Sequence, residues 1–290
     1  MTTAEASAGS GQPSTESPGL SGWALARSQL LGVLRFELRR SLLAKRAWAC
    51  YVLALLPFPV LLLWGFAADH ERGPGIGQAP TMFGVIFALY VGVPLFLGTL
   101  FVFMSQFRSD ILERSLHYYY LTPIPRSLLV AGKYLAALIA TVATFASATV
   151  AMYLLFYVHW GFGELMTHLL RGGGAGQLMG YVGIAVLGCL GYGSLFLAVG
   201  LVFRNPVVPA AVIWAWEFIN FLLPPLLKKL SVIHYLKSLY PVPLPEGLFA
   251  VVAEPTSAWI SVPGLLLFTT AVLALAAWRA RTMDINYGSD

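Results

Sequence analysis

Charge is the scarcest ingredient of this chain. Only 11% of its 290 residues are Asp, Glu, Lys or Arg, against roughly a quarter in ordinary soluble domains. With 58% hydrophobic residues and a mean hydropathy of +0.75, a soluble all-helical protein is excluded, because its apolar runs would be broken by polar stripes. Cysteine is nearly absent. Cys50 and Cys189 both fall inside apolar runs, so neither a disulfide framework nor a thiolate metal site is implied. The five histidines are scattered, without HxxxH or HExxH spacing, and there is no GxSxG elbow, so hydrolytic or metal chemistry finds no support. No GxxxxGK[ST] phosphate loop occurs, since Gly132-Lys133 runs into Tyr134 without the upstream glycine. No internal repeat is visible. The net charge of +5 does not point to nucleic acid, because the basic residues sit at the edges of apolar runs rather than on one patch.

What is present is a series of long apolar stretches. Five uncharged runs, and a sixth holding a single Glu, approach or reach the ~20 residues that cross a bilayer. The expected fold is all-α and polytopic, with spans at about 48–66, 81–104, 134–158, 178–203, 207–223 and 258–278. Residues 1–22, rich in Ser, Thr, Gly and Pro, read as a disordered tail, and no positively charged segment leads into a signal core. In 23–46, Leu30, Leu34, Leu38 and Leu42 recur every fourth residue among arginines. That pattern suits a helix lying in the membrane plane, or one packed on protein. Pro57 and Pro59 predict a kink in the first span, and Pro94 interrupts the second. Small residues recur every fourth position at Ala136, Ala140, Thr144 and Ala148, and again at Ala185, Cys189 and Gly193. Such seams let helix backbones approach closely. Residues 224–257 are too apolar for free solvent and too polar to span, and 282–290 form a short polar tail.

Basic residues set the orientation. Six lie in the N-terminal segment, four in the insert after the second span, one in the Arg204 turn and two at the C-terminus, which makes 13 of the chain's 18. This group is expected to be cytoplasmic, with both termini inside and 224–257 outside.

The insert is the most informative stretch. Arg108–Lys133 reads RSDILERSLHYYYLTPIPRSLLVAGK. Leu112, Leu116, Tyr119 and Tyr120 fall on one face of a short helix, while Asp110, Glu113, Arg114 and His117 occupy the others. Pro123 and Pro125 stop that helix and force an extended elbow. By periodicity alone, a connector resting on headgroups and a helix gripped by a soluble partner are equal readings. Asp110, Glu113, Arg114, Leu116, Tyr118, Pro123, Ile124, Pro125, Arg126, Gly132 and Lys133 fill the places of a run D-E-x-x-x-R-T-x-x-Y-L-x-x-R-P-I-P-R followed by G-K. On these residues the insert, taken as 105–130, resembles the cytoplasmic coupling segment of ABC type-2 permeases. Thr122 stands where that subfamily has Arg, and Tyr118-Tyr119-Tyr120 is more aromatic than usual. The basic N-terminal helix, six spans and a semi-apolar loop before the last are similar to the same family.

The resemblance implies a transport subunit, not an enzyme, in a bacterial inner membrane. It implies a separate ABC ATPase subunit carrying ATP and Mg, a second permease copy, and export. It assigns ATPase coupling to Arg108, Asp110, Leu112, Glu113, Arg114, Leu116, His117, Tyr119, Tyr120, Pro123, Pro125 and Arg126, and re-entrant helices to 224–257. The rivals are an ATP-independent secondary transporter and a membrane-embedded lipid-modifying enzyme. The first lacks paired intramembrane charges and repeats here, and the second lacks an interfacial His or acidic cluster. Glu217, deep in the fifth run, must be shielded from lipid. It either lines the translocation path with Asn220, or its carboxyl joins helices through Asn220 or a tryptophan indole. The transported substrate is not legible.

Overall fold

The computed structural model describes residues 22–43, 47–67, 76–112, 125–203, 205, 207–242 and 257–282. The described residues are overwhelmingly helical, and no strand occurs among them. α1 (Gly22–Leu43) precedes a first apolar stretch broken into α2 (Ala47–Leu55) and α3 (Pro57–Ala67). The break falls at Leu56, because the following proline has no N–H to continue the ladder. α4 (Ala79–Tyr90) passes through a wider π turn at Val91–Leu95 into α5 (Phe96–Leu112). Pro94 lies inside that turn, where the loosened backbone accommodates its missing donor.

α6 (Arg126–Val158) is 33 residues long, about 50 Å at 1.5 Å per residue. It starts eight residues before the expected third span. The expected span opened just past Lys133, but that ammonium is paired inside the protein and the helix runs through it. α7 (Phe162–Leu170) is a short amphipathic helix between two glycines in the left-handed region, Gly161 and Gly173. α8 (Gly174–Val202) follows.

Five helical stretches are long and apolar enough to cross a membrane: Ala47–Gly65, Ala79–Phe107, Arg126–Val158, Gly174–Val202 and Ala258–Arg281. The fifth expected span is shorter than its composition suggests. α9 (Val207–Phe218) has 12 residues, about 18 Å of rise, and tightens into a 3₁₀ turn at Ile219–Leu222. The chain then turns back through α10 (Pro225–Lys228) and α11 (Val232–Lys237) before α12 (Ala258–Thr282).

Hydrogen bonds fix the directions of the helices. The Tyr134 hydroxyl donates to the Leu190 carbonyl and the Tyr153 hydroxyl to the Gly174 carbonyl, so α6 and α8 run antiparallel. Arg126, opening α6, reaches the last carbonyls of α12, so α12 ends where α6 begins. Since α8 also ends there, the stretch between Phe203 and Ser257 carries the chain back to the opposite end.

The core is aromatic and tightly interlocked. Phe83, Phe87, Tyr153, Phe156 and Tyr181 are all buried, with Phe83 stacking edge-on to Tyr153 and Tyr181 at 4.9 Å. The small seams are interior: Ala136, Ala140, Ala148, Ala185 and Cys189 are buried. A Cβ at Gly193 would overlap the Phe103 ring, and one at Gly98 the Phe145 ring, so glycine lets these rings press on backbone. Both cysteines are buried and not disulfide-bonded.

Candidate functional site

The insert enters and leaves the bundle at one end, and the described residues define its two stems. Arg108, Asp110 and Leu112 lie on the last turns of α5, whose side chains there are outside the described residues. Glu113, Arg114, Leu116, His117, Tyr119, Tyr120 and Pro123 also lie outside them. Pro125 and Arg126 are described. Pro125 is extended (φ −62°, ψ 133°) and precedes the first turn of α6, as a residue just outside a helix N-terminus does.

Arg126 then turns sideways. Its Nη1 donates to the Arg281 carbonyl (3.0 Å) and, at a longer 3.4 Å, to the Ala280 carbonyl. Arg281 Nη2 donates to Ser127 Oγ at 3.3 Å. A guanidinium is suited to this position, because the last carbonyls of a helix lack intrahelical donors and carry its negative end. The exit stem is thus fastened to the C-terminus of α12.

About two turns further on lies a buried ionic centre. Lys133 Nζ is 2.5 Å from Glu37 Oε1, with the two side chains 0% and 1% exposed. The same ammonium donates to the Gln106 carbonyl of α5 (3.1 Å) and sits 5.5 Å from the Phe107 ring centroid. Gln106 Nε2 donates back to Ser41 Oγ of α1 at 3.0 Å. Glu37, Ser41, Gln106 and Lys133 therefore tie three elements together: α1, the entry stem and the exit stem. Close packing accompanies the charges, since a Cβ on Gly132 would come within 2.7 Å of Val33 Cγ1.

Of the two sequence readings of α1, the packed one describes its Val33–Glu37 side. The leucine row at 30, 34, 38 and 42 is only half-buried beside it, while Leu31, Phe36 and Leu43 are exposed with Arg35 and Arg39. Glu37 and Gln106 were missed in the sequence. The available signal was a single carboxylate in a helix otherwise rich in arginine, spaced four residues from Val33.

Glu217 and Asn220 lie apart from that end. The Glu217 carboxylate accepts four hydrogen bonds: from Ser231 Oγ (2.6 Å), the Val232 and Ile233 amides (both 3.0 Å) and the Tyr192 hydroxyl (3.3 Å). Ser231 precedes α11, so the carboxylate caps the first turn of that helix and draws on its positive end. Neither Asn220 nor an indole is among these donors. Asn220 is buried nearby in the chain, and its Nδ2 has no hydrogen-bond partner among the described residues.

A third polar cluster, also absent from the sequence reading, sits at the opposite end of α6. The Tyr153 hydroxyl lies 2.9 Å from His168 Nε2, and Tyr157 stacks on the His168 ring at 4.4 Å. Burial holds the His168 imidazole below its usual pKa. No group of His, Cys, Asp or Glu able to hold a metal occurs among the described residues. No protein-family model, no curated protein and no solved structure matches this chain.

Proposed function

We propose that this chain is the membrane-spanning permease subunit of an ATP-driven ABC type-2 transporter, an exporter of a bacterial inner membrane. ATP and Mg act on a separate ATPase subunit, a second permease copy completes the assembly, and both termini are cytoplasmic. The chain crosses six times, α9 to α11 together making the fifth passage. The observation supporting this most is the attachment of both stems. A segment meant to transmit force needs ends that cannot slip, and Arg126 and Lys133 clamp the exit stem to α12 and α1 while Gln106 holds the entry stem. Closure of the ATPases would push 108–126 and so move α1, α5, α6 and α12 together.

The experiment is co-purification with an ABC ATPase subunit, and ATPase activity in reconstituted membranes. Leu116→Ala with Tyr119→Ala removes the expected apolar anchors and weakens co-purification by about tenfold or more. Unchanged assembly and coupling after deletion of Ile111–Tyr120 would leave the segment a mere connector and remove this reading.

A further inference from the structure

One face of α1 fastens it to the bundle. Val33 and Glu37 are buried against Gly132 and Lys133 of α6, and Ser41 Oγ accepts from Gln106 Nε2 of α5. Another face is bare. Leu31, Phe36 and Leu43 are 52%, 60% and 72% exposed, and Arg35 and Arg39 stand exposed among them. Glu37 is the only carboxylate within Gly22–Leu43, and Lys133 already occupies it. Arg27 and Arg40 are engaged by other groups. The Arg35 and Arg39 guanidiniums have no hydrogen bond or ion pair among the described residues.

The neighbouring helices set the level of this face. α12 ends with Trp278, 62% exposed, followed by Arg279 and Arg281, and Arg126 donates to its last carbonyls. A tryptophan followed by arginines marks a membrane–water boundary. Lys133 lies seven residues beyond Arg126 on α6, about 10 Å of rise. Gln106 is the last residue but one of the apolar stretch Ala79–Phe107. α1 is therefore held where two apolar stretches approach that boundary.

At such a level, guanidiniums are unfavourable against acyl chains and bare Leu and Phe are unfavourable against water. Arg35 and Arg39, one turn apart, are neighbours on the helix surface. Two guanidiniums side by side suit a phosphate, which each can meet with paired N–H donors. We propose that this face of α1 binds an anionic phospholipid, its phosphate on Arg35 and Arg39 and its first acyl carbons against Leu31, Phe36 and Leu43. Because Glu37 and Ser41 join α1 to both stems of the insert, the bound lipid steadies the same end of the bundle. The proposal goes beyond the transport reading and needs only a membrane at this end, so its failure leaves the ATPase pull-down untouched.

The test uses the full chain in dodecyl maltoside, with thermal unfolding followed as dioleoylphosphatidylglycerol is titrated against dioleoylphosphatidylcholine. A ligand held by the folded chain raises the Tm as its concentration rises. Arg35→Gln with Arg39→Gln, both at exposed positions, is expected to move half-saturation by phosphatidylglycerol up by about tenfold or more. Lys229→Gln with Lys237→Gln removes the same charge from exposed positions far along the chain and is expected to leave the titration unchanged. In the wild type, raising salt from about 0.05 M to about 0.5 M should weaken the phosphatidylglycerol effect, since exposed charges are screened. An unchanged titration in the arginine variant, or an equal loss in the lysine variant, would overturn the site. So would an equal wild-type Tm rise with phosphatidylcholine, or one reproduced in full by inorganic phosphate.

Discussion

Lys133 and Glu37, 96 residues apart in the chain, share a proton-bearing contact of 2.5 Å with both side chains withdrawn from solvent. An isolated ammonium or carboxylate in such a place is costly, and the pair persists because each charge satisfies the other while Gln106 supplies a further acceptor. The contact makes α1 part of the bundle.

Removing one member of this pair is expected to cost far more than removing both. Lys133→Met leaves the Glu37 carboxylate buried alone, a loss of about 3–5 kcal/mol in comparable buried pairs. Lys133→Met combined with Glu37→Met recovers most of that. Thermal unfolding in detergent measures it, and equal Tm losses in the single and double variants would show that the pair is not coupled.

Glu217 is expected to act first on stability. Glu217→Gln keeps the shape but replaces an all-acceptor group by one with two donors, so part of the four-donor cap is lost. Hydrogen bonds to charged groups contribute about 1.5–3 kcal/mol. A lowered Tm with normal transport in surviving protein assigns the carboxylate to holding α11. Normal Tm with lost transport assigns it to the path instead.

Acidification has a defined sign at His168, which lies in α7 outside the candidate spans. Its folded pKa is below the usual 6.5 because of burial, so below pH 6.5 the unfolded chain binds more protons at this site. Stability from this group is therefore complete above 6.5 and falls as pH drops from 6.5 toward the folded pKa. The Tm advantage of wild type over His168→Gln should shrink between pH 7.5 and 5.5. An advantage that grows on acidification would reverse the assignment.

Tyr181 and Tyr240 give a prediction of sign. Their hydroxyl oxygens are buried and have no hydrogen-bond partner among the described residues, and each such group costs about 1–3 kcal/mol if nothing satisfies it. Tyr181→Phe and Tyr240→Phe should then raise the Tm. A fall in either case would mean that a polar partner, such as an ordered water, is held there.

The sequence by itself determined the helical, apolar character of this chain, because helices that satisfy their own backbone need only long runs free of charge, and such runs are visible at once. It also placed the breaks at Pro57 and Pro94, since a missing N–H acts locally. The small seams at Ala136–Ala148 and Ala185–Gly193 were legible for the same reason: spacing alone puts them on one face. The rest depended on tertiary structure. Lys133 looked like the last residue before a span until Glu37, far away in sequence, paired with it. The run from Val207 to Leu223, with Glu217 as its single charge, looked like a full span, yet the helix ends at Phe218 and α11 folds back against Gly188 and Gly191. Where a buried charge finds its partner and where a glycine admits another helix are long-range facts. Composition and periodicity encode only what neighbours along the chain do, so only the packed bundle could decide them.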